Sequence, residues 1–320
     1  MAAALFAAPS AGAYGWPVRP FDAEHPVRGT FGDPRTKFWT GALDAEGLAG
    51  TGAFSFHNGI DIAAPADAPV FPVVSGVVSS VSGHLVIVRS GNRVFQYIHI
   101  EPVVLAGERV RARRTVLGYV QASALHVHLT EIVGGRVSNP LAPGHIAPYR
   151  DTTRPRVTEI LLRDPRASRR VQPAAVTGAI SIVAVASDLP SLPAPGDWYG
   201  LPVSPAFVSW SLRSFDGGWT IRETVVADFR RVLPFNRDFW RVYARGTYQN
   251  KPRFGRKQYL SAPGRYEFLL TPTRLDTTRL MDDLYTVRVT VADVRGNSAV
   301  RTEVLTVCNT SPELCSGPVP

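Results

Sequence analysis

The chain has 320 residues, 45% of them hydrophobic, a length beyond what one hydrophobic core usually organises and an apolar supply adequate for two domains. No stretch approaches the roughly 18 consecutive apolar residues of a membrane span. Only two cysteines occur, Cys308 and Cys315 near the C-terminus, which excludes a thiolate metal site or cysteine nucleophile in either domain body.

A net charge of +9 favours anionic partners, although only three of the 35 basic residues are lysine (Lys37, Lys251, Lys257), an arginine bias that GC-rich coding alone produces. The first residues, MAAALFAAPSAGAYGW, are small and apolar and end in Ala11-Gly12-Ala13, the small-x-small pattern of a cleaved signal peptide. A positive n-region is missing and Pro9 interrupts the run, so two readings stand: a signal peptide over 1–13 with an upstream start, or a loose terminus. Export is the expectation. A disulfide between Cys308 and Cys315 in an oxidising compartment agrees with it, two unpaired thiols being the alternative.

Between Val70 and Glu131, short β-branched runs alternate with Gly, Ser and Asn: VFPVVSGVVSSV, LVIVRS, RVFQYIHI, TVLGYV and HVHLTEIV. These predict strands with turns at Ser82-Gly83 and Gly91-Asn92, and no window has a helical period. The segment NPLAPGHIAPYRDTTRP from Asn139 to Pro155 carries four prolines and predicts a linker over 144–156. A first domain at 14–143, a second at 157–307 and a tail at 308–320 follow. No internal repeat is present.

Strand-like runs return as VTEILL, AISIVAVASD, FVSWSLRS, YTVRVTVAD and AVRTEVLTV. The last two flank Arg295-Gly296-Asn297 and place Tyr285, Val287, Val289 and Val291 on one face, as in a sandwich hairpin. An immunoglobulin-like β-sandwich is therefore expected, with an insertion or long loops from about Phe215 to Arg274. From Arg230 to Tyr259, nine Arg or Lys oppose a single acid, Asp238, with Phe235, Phe239, Trp240, Tyr243, Tyr248, Phe254 and Tyr259 interleaved. Such a stretch suits single-stranded nucleic acid, but in an exported protein sugars and anionic wall polymers are the expected partners. The plainer alternative packs the aromatics inward and solvates the arginines.

Three groups of polar residues carry the chemistry: His57-Asn58-Gly59-Ile60-Asp61, Tyr97-Ile98-His99 and His126-Val127-His128. In an extended strand, residues four apart are separated by roughly 13 Å, so His57 and Asp61 share an ion only if the chain turns at Asn58-Gly59. His126 and His128 point to one face of a strand, so one can bind an ion while the other moves protons. Two imidazoles and one carboxylate are the ligand set of many catalytic zinc sites, in which bound water has a pKa near about 7. No His-Glu-x-x-His motif is present, so histidines must act as base and stabiliser. Tyr97 is expected to face as His99 does. His25, His84 and His145 read as ordinary exposed histidines. Glu131, three residues past His128, reads as structural.

HNGIDIAAPADAPVFPVVSGVV, QYIHI, AGERVRARRTVLGYV, HVHLTEI and SNPL, preceded by GTFGDPR, resemble in order the blocks of the lysostaphin-type (LytM-like) zinc endopeptidases of peptidoglycan, from about Trp16 to Pro140. The resemblance implies an all-β chain with an antiparallel β-sheet metallopeptidase domain ahead of the sandwich. It implies one Zn2+ held by His57, Asp61 and His128, with His126 and His99 as catalytic histidines. Zinc would polarise the scissile carbonyl and activate water while the two histidines move protons and stabilise the oxyanion.

Two departures stand out. The loop before His-x-His is shortened to QASAL, and Leu129 replaces the usual aromatic. The implied partners are stem or cross-bridge peptides of peptidoglycan, with no nucleic acid and no transmembrane segment. The rival reading is a non-catalytic envelope regulator of the same fold that activates other wall hydrolases; such relatives commonly lose ligands, and this chain keeps all three.

Overall fold

The computed structural model describes residues 12–38, 52–166, 169–217, 220–250, 264–311 and 315. Most of the expected signal segment, together with Phe254 and Tyr259, lies outside the described residues. The described chain is almost entirely antiparallel β-structure, with one four-residue α-helix at Phe239–Val242, and no helix is long and apolar enough to cross a membrane.

By contacts the chain forms two compact units that interleave along the sequence. The first comprises Met1–Phe31, Asn58–Thr152 and Pro190–Tyr199; the second comprises Gly32–His57, Thr153–Leu189 and Gly200–Pro320. Sequence alone suggests a single boundary across 144–156. The reason for the difference is a long-range contact. Phe56 of the hairpin formed by Pro34–Phe38 and Gly52–Phe56 packs on Phe229, Phe239 and Tyr243, which draws that excursion into the second unit. The proline-rich segment is likewise no free tether at its start: the Tyr14 amide donates to the His145 carbonyl, the Ala147 amide to Tyr14, and the Trp16 indole to the Pro148 carbonyl at 2.7 Å.

In the first unit, one sheet runs in the order Val27–Gly29, Ile60–Ala63, His126–Val133, Arg93–Ile98, Leu85–Ser90, Gly76–Ser82 and Arg109–Val110, with Arg136–Ser138 paired to the end of His126–Val133. The expected strands are recovered with two breaks and one shortening: VFPVVSGVVSSV divides into Pro69–Val70 and Gly76–Ser82, RVFQYIHI divides at His99, and TVLGYV keeps only Gly118–Val120. Gly83, at a φ of 54°, makes a tight turn with His84, one residue later than Ser82-Gly83. The core face carries Ile60, Ile62, Val86, Val88, Phe95, Tyr97, Val127 and Leu129, all fully buried. At about 25 cal/mol per Å2 of apolar surface this face holds the strands in register. A one-residue slip would turn His126 and His128 into that core.

The second unit contains a sheet ordered Arg170–Val171, Arg156–Arg163, Ala179–Ser187 and Glu267–Leu269, with Leu275–Asp276 also paired to Ala179–Ser187. A second sheet runs Thr220–Asp228, Phe207–Ser214, Asp283–Ala292 and Ser298–Val307. Tyr285, Val287, Val289 and Val291 are buried, as their alternation predicts, and Asp293 ties the turn by accepting from the amides of Arg295 and Asn297. The expected insertion from Phe215 is shorter than anticipated, because Thr220–Asp228 is an edge strand, paired with Phe207–Ser214 through two register shifts. Within the basic stretch, Phe239, Tyr243 and Tyr248 are buried while Phe235 is exposed, so these three pack inward. Cys308 and Cys315 form a disulfide.

Candidate metal centre

The centre grows from strand register. Asp61 lies opposite His128, and Ala63 opposite His126, in the pairing of Ile60–Ala63 with His126–Val133. Alternation sends Val127 and Leu129 into the core and His126, His128 and Thr130 to the other face. His57 precedes this strand, and the chain bends at Gly59 between His57 and Asp61. Gly59 is needed there for close approach: a Cβ would lie 2.4 Å from the Leu129 carbonyl oxygen and 2.7 Å from His128 Nε2.

His57, Asp61 and His128 are buried, and each offers a ligand atom within 4.8 Å of the others. Two neutral nitrogens and a carboxylate oxygen at this spacing fit one divalent ion with bonds of about 2.0–2.2 Å after rotamer-scale adjustment. His128 Nδ1 is 3.0 Å from Asp61 Oδ1, while its Nε2 is 2.8 Å from the Thr130 hydroxyl. A hydroxyl that accepts the Nε2 proton leaves Nδ1 as the metal-facing nitrogen, the outer-shell support that orients ligating imidazoles. Thr130 escaped the motif reading, although its position two residues after His128 on a strand carries the signal.

His126 Nε2 lies 3.5 Å from Asp61 Oδ1, and the His126 and His99 rings are 4.4 Å apart. His99 arrives there by a break in the strand. With a φ of 68° between Arg93–Ile98 and Ile100–Pro102, it leaves the face that alternation would share with Tyr97. Tyr97 therefore does not face the site as expected; it is in the core, its hydroxyl accepting from the Val73 amide at 2.9 Å. The Gln121 amide donates to the His99 carbonyl at 3.0 Å and ties QASAL to the site. Burial, then the neighbouring His126, pushes His99 down to about 4, with His128 and Arg28 adding to the effect and Asp61 opposing it. His99 is thus neutral at neutral pH, an imidazole that can offer a ring N–H as a hydrogen-bond donor.

The remaining histidines stay outside. His84 is exposed and 3.3 Å from Glu101. His25 stacks on Trp16, half-buried rather than exposed, and burial lowers its pKa. His145 is likewise not an ordinary exposed histidine: its Nδ1 lies 2.6 Å from Glu131, which also receives Tyr14 and Arg93. Glu131 faces away from the metal side, as expected of a structural residue. Arg28, whose terminal nitrogen is 2.6 Å from His126 Nδ1, and Trp198 beside it were not anticipated; PVRG ahead of GTFGDPR gave only a position, and Trp198 gave no signal.

Solved structures similar to this chain include LytM-type and other peptidases. The SpoIIQ-SpoIIIAH pore-forming complex aligns at 27% identity over 41% of this chain and 90% of that one, with a TM-score of 0.30. A zinc-containing peptidase from Vibrio cholerae aligns at 22% identity over 40% of this chain and 39% of that one, with a TM-score of 0.31. The catalytic domain of the prophage-encoded M23 protein EnpA from Enterococcus faecalis aligns at 23% identity over 37% and 88%, with a TM-score of 0.26. No protein-family model matches the sequence, and no curated protein matches it.

Proposed function

We propose that this protein is an exported zinc-dependent endopeptidase that hydrolyses peptide bonds of bacterial peptidoglycan. One observation carries the reading: His57, Asp61 and His128 offer three ligand atoms within 4.8 Å of one another, beside two further histidines that the ligand set leaves over. The motif order around these residues resembles that of the lysostaphin-type enzymes and supplies the substrate class.

In this reading His57, Asp61 and His128 hold the ion. Zinc, when bound, supplies Lewis acidity toward the scissile carbonyl and lowers the pKa of water to about 7. Thr130 holds the His128 ring in the ligating orientation. His126, with Nε2 on the Asp61 side, takes the proton as general base and returns it to the leaving amine, and neutral His99 stabilises the developing charge beside it. Burial of His57, Asp61, His126, His128 and Thr130, with His99 half-buried beside them, limits access of bulk water and strengthens each interaction.

The second unit is proposed to be an immunoglobulin-like sandwich that attaches or spaces the enzyme. Its two sheets support this, as does Tyr285 at the start of its strand, whose hydroxyl donates back to the Met281 carbonyl at 2.9 Å in the manner of a tyrosine corner. Binding of anionic wall polymers by this unit remains a proposal for a wall-pulldown assay at low salt.

The test of function is digestion of purified peptidoglycan by wild type and His128→Ala, with fragments identified by mass. The account expects new peptide termini from wild type only. Intact peptidoglycan with zinc-loaded wild type would favour a non-catalytic regulator instead.

A further inference from the structure

The outer face of the four-stranded sheet in the second unit is set by strand register. Ser209 and Ser211 of Phe207–Ser214 lie opposite Thr290 and Arg288 of Asp283–Ala292, and these lie opposite Val300 and Thr302 of Ser298–Val307. Alternation sends Val208, Trp210 and Leu212 into the core with Val287, Val289 and Val291, all buried, so the first set shares the other face. Arg288, Val300 and Thr302 are exposed there.

Along the edge strand Thr220–Asp228 the register slips. Trp210 pairs with Thr224 but Leu212 with Ile221, so Arg222 and Glu223 both stand against Ser211. Two residues against one form a β-bulge, which bends the edge strand and re-aims its side chains. The result is a groove of about 480 Å3, the size of a small-ligand site, with Ser209 and Ser211 as its floor, Arg222 and Glu223 along one wall and Arg288 and Thr290 along the other. Short side chains on the middle strand between long ones on its neighbours make the depression. Strands two apart are separated by about 9–10 Å, so the two arginines face each other across the serines.

The ligand chemistry follows from which groups are already met. Glu223 accepts from the Ser209 hydroxyl at 2.6 Å, whereas neither Arg222 nor Arg288 has a side-chain partner among the described residues. Two unmet guanidiniums call for anionic groups, and their planar forks match carboxylates in paired hydrogen bonds. Glu223 repels a chain charged at every unit, while its second oxygen and the hydroxyls of Ser211 and Thr290 suit ligand hydroxyls. Among the described residues the only aromatic lining the groove is Trp210, which is buried and offers no face for stacking bases. Anionic groups spaced by hydroxyls, without bases, describe an acidic sugar chain.

We propose that this groove binds an extended glycan whose sugars carry carboxylate groups, Arg222 and Arg288 holding the carboxylates and Glu223 accepting from a hydroxyl. The inference rests on the attachment role proposed for the second unit, gives that role a place and a ligand class, and does not involve the metal site.

The experiment is calorimetric titration of full-length protein, at physiological ionic strength, with polygalacturonate oligomers, the same oligomers as methyl esters, and oligothymidylate. The acid form binds, the neutral ester at least about tenfold more weakly, and oligothymidylate more weakly than the acid. Arg222→Ala and Arg288→Ala each weaken the acid form on the order of 5–20-fold. Arg136→Ala, which removes an exposed arginine of the first unit, leaves it within about twofold, because a remote charge is screened. Glu223→Gln narrows the gap between glycan and oligonucleotide. Circular dichroism shows that each variant is folded.

The proposal is overturned if the acid form does not bind, if acid and ester bind equally, if both arginine variants keep wild-type affinity, or if Arg136→Ala loses as much as they do. Oligothymidylate bound as tightly as the glycan overturns it too, and assigns the groove to nucleic acid. Wild type that sediments with purified cell wall yet binds no probe keeps the attachment role and loses the groove. No probe contains a peptide bond, so each of these results leaves the peptidase reading standing.

Discussion

The strand His126–Val133 carries a carboxylate–histidine cluster on each of its faces, and the two are built for opposite ends. Around Glu131, the hydroxyl of Tyr14, Nδ1 of His145 and the guanidinium of Arg93 converge on one carboxylate, so donors outnumber acceptors and its charge is met within the protein. Around Asp61, His57 and His128 bring ring nitrogens within 4.8 Å of a carboxylate oxygen, an excess of lone pairs that in the proposed reading a cation completes. Residue types are nearly the same on both sides. Whether a cluster braces the fold or binds an ion depends on which atoms it collects, and hence on strand register.

The comparison can be broken at four points, taken from the largest effect down. His128→Ala should abolish both zinc binding and hydrolysis, measured by metal analysis and peptidoglycan digestion. His126→Ala should keep the metal while kcat falls on the order of 10^2–10^4-fold, as for loss of a general base. Thr130→Val, which removes the acceptor at Nε2 of His128, should weaken zinc affinity about 10–100-fold in a competitive chelator titration.

The smallest effect belongs to the other face: Glu131→Gln should lower stability by about 1–3 kcal/mol in denaturant melts while leaving zinc affinity unchanged. Its pH dependence has a definite sign. Burial by itself raises the Glu131 pKa, but the hydrogen bonds from His145 and Tyr14 and the charges of His145 and Arg93 outweigh it, and the net value lies below the ordinary one. The carboxylate's contribution is therefore present above its unfolded pKa and lost as pH falls through the folded value. The gap between wild type and Glu131→Gln should close in acid.

Much of the fold was legible because half-buried antiparallel strands write their alternation into sequence. Tyr285 to Val291 in the second unit and His126 to Thr130 in the first both follow it. His57 and Asp61 were legible as a pair able to share an ion across Asn58-Gly59, whereas the choice of His128 over His126 as third ligand came from the resemblance to the lysostaphin-type enzymes. Alternation failed where a single residue left the β region: the positive φ of His99 separates it from Tyr97. The interleaving of the two units was hidden for another reason. It depends on Phe56 finding Phe229, Phe239 and Tyr243, a contact between residues over 170 positions apart that no local pattern announces. Arg28 and Trp198 were hidden in the same way.

The most direct test of the account is zinc stoichiometry in purified protein, measured for wild type and for alanine variants at His57, Asp61, His128 and His126. The account predicts one zinc per chain in wild type and in His126→Ala, and none above background in the other three. Zinc retained by His128→Ala, or lost from His126→Ala with the fold intact, would contradict it.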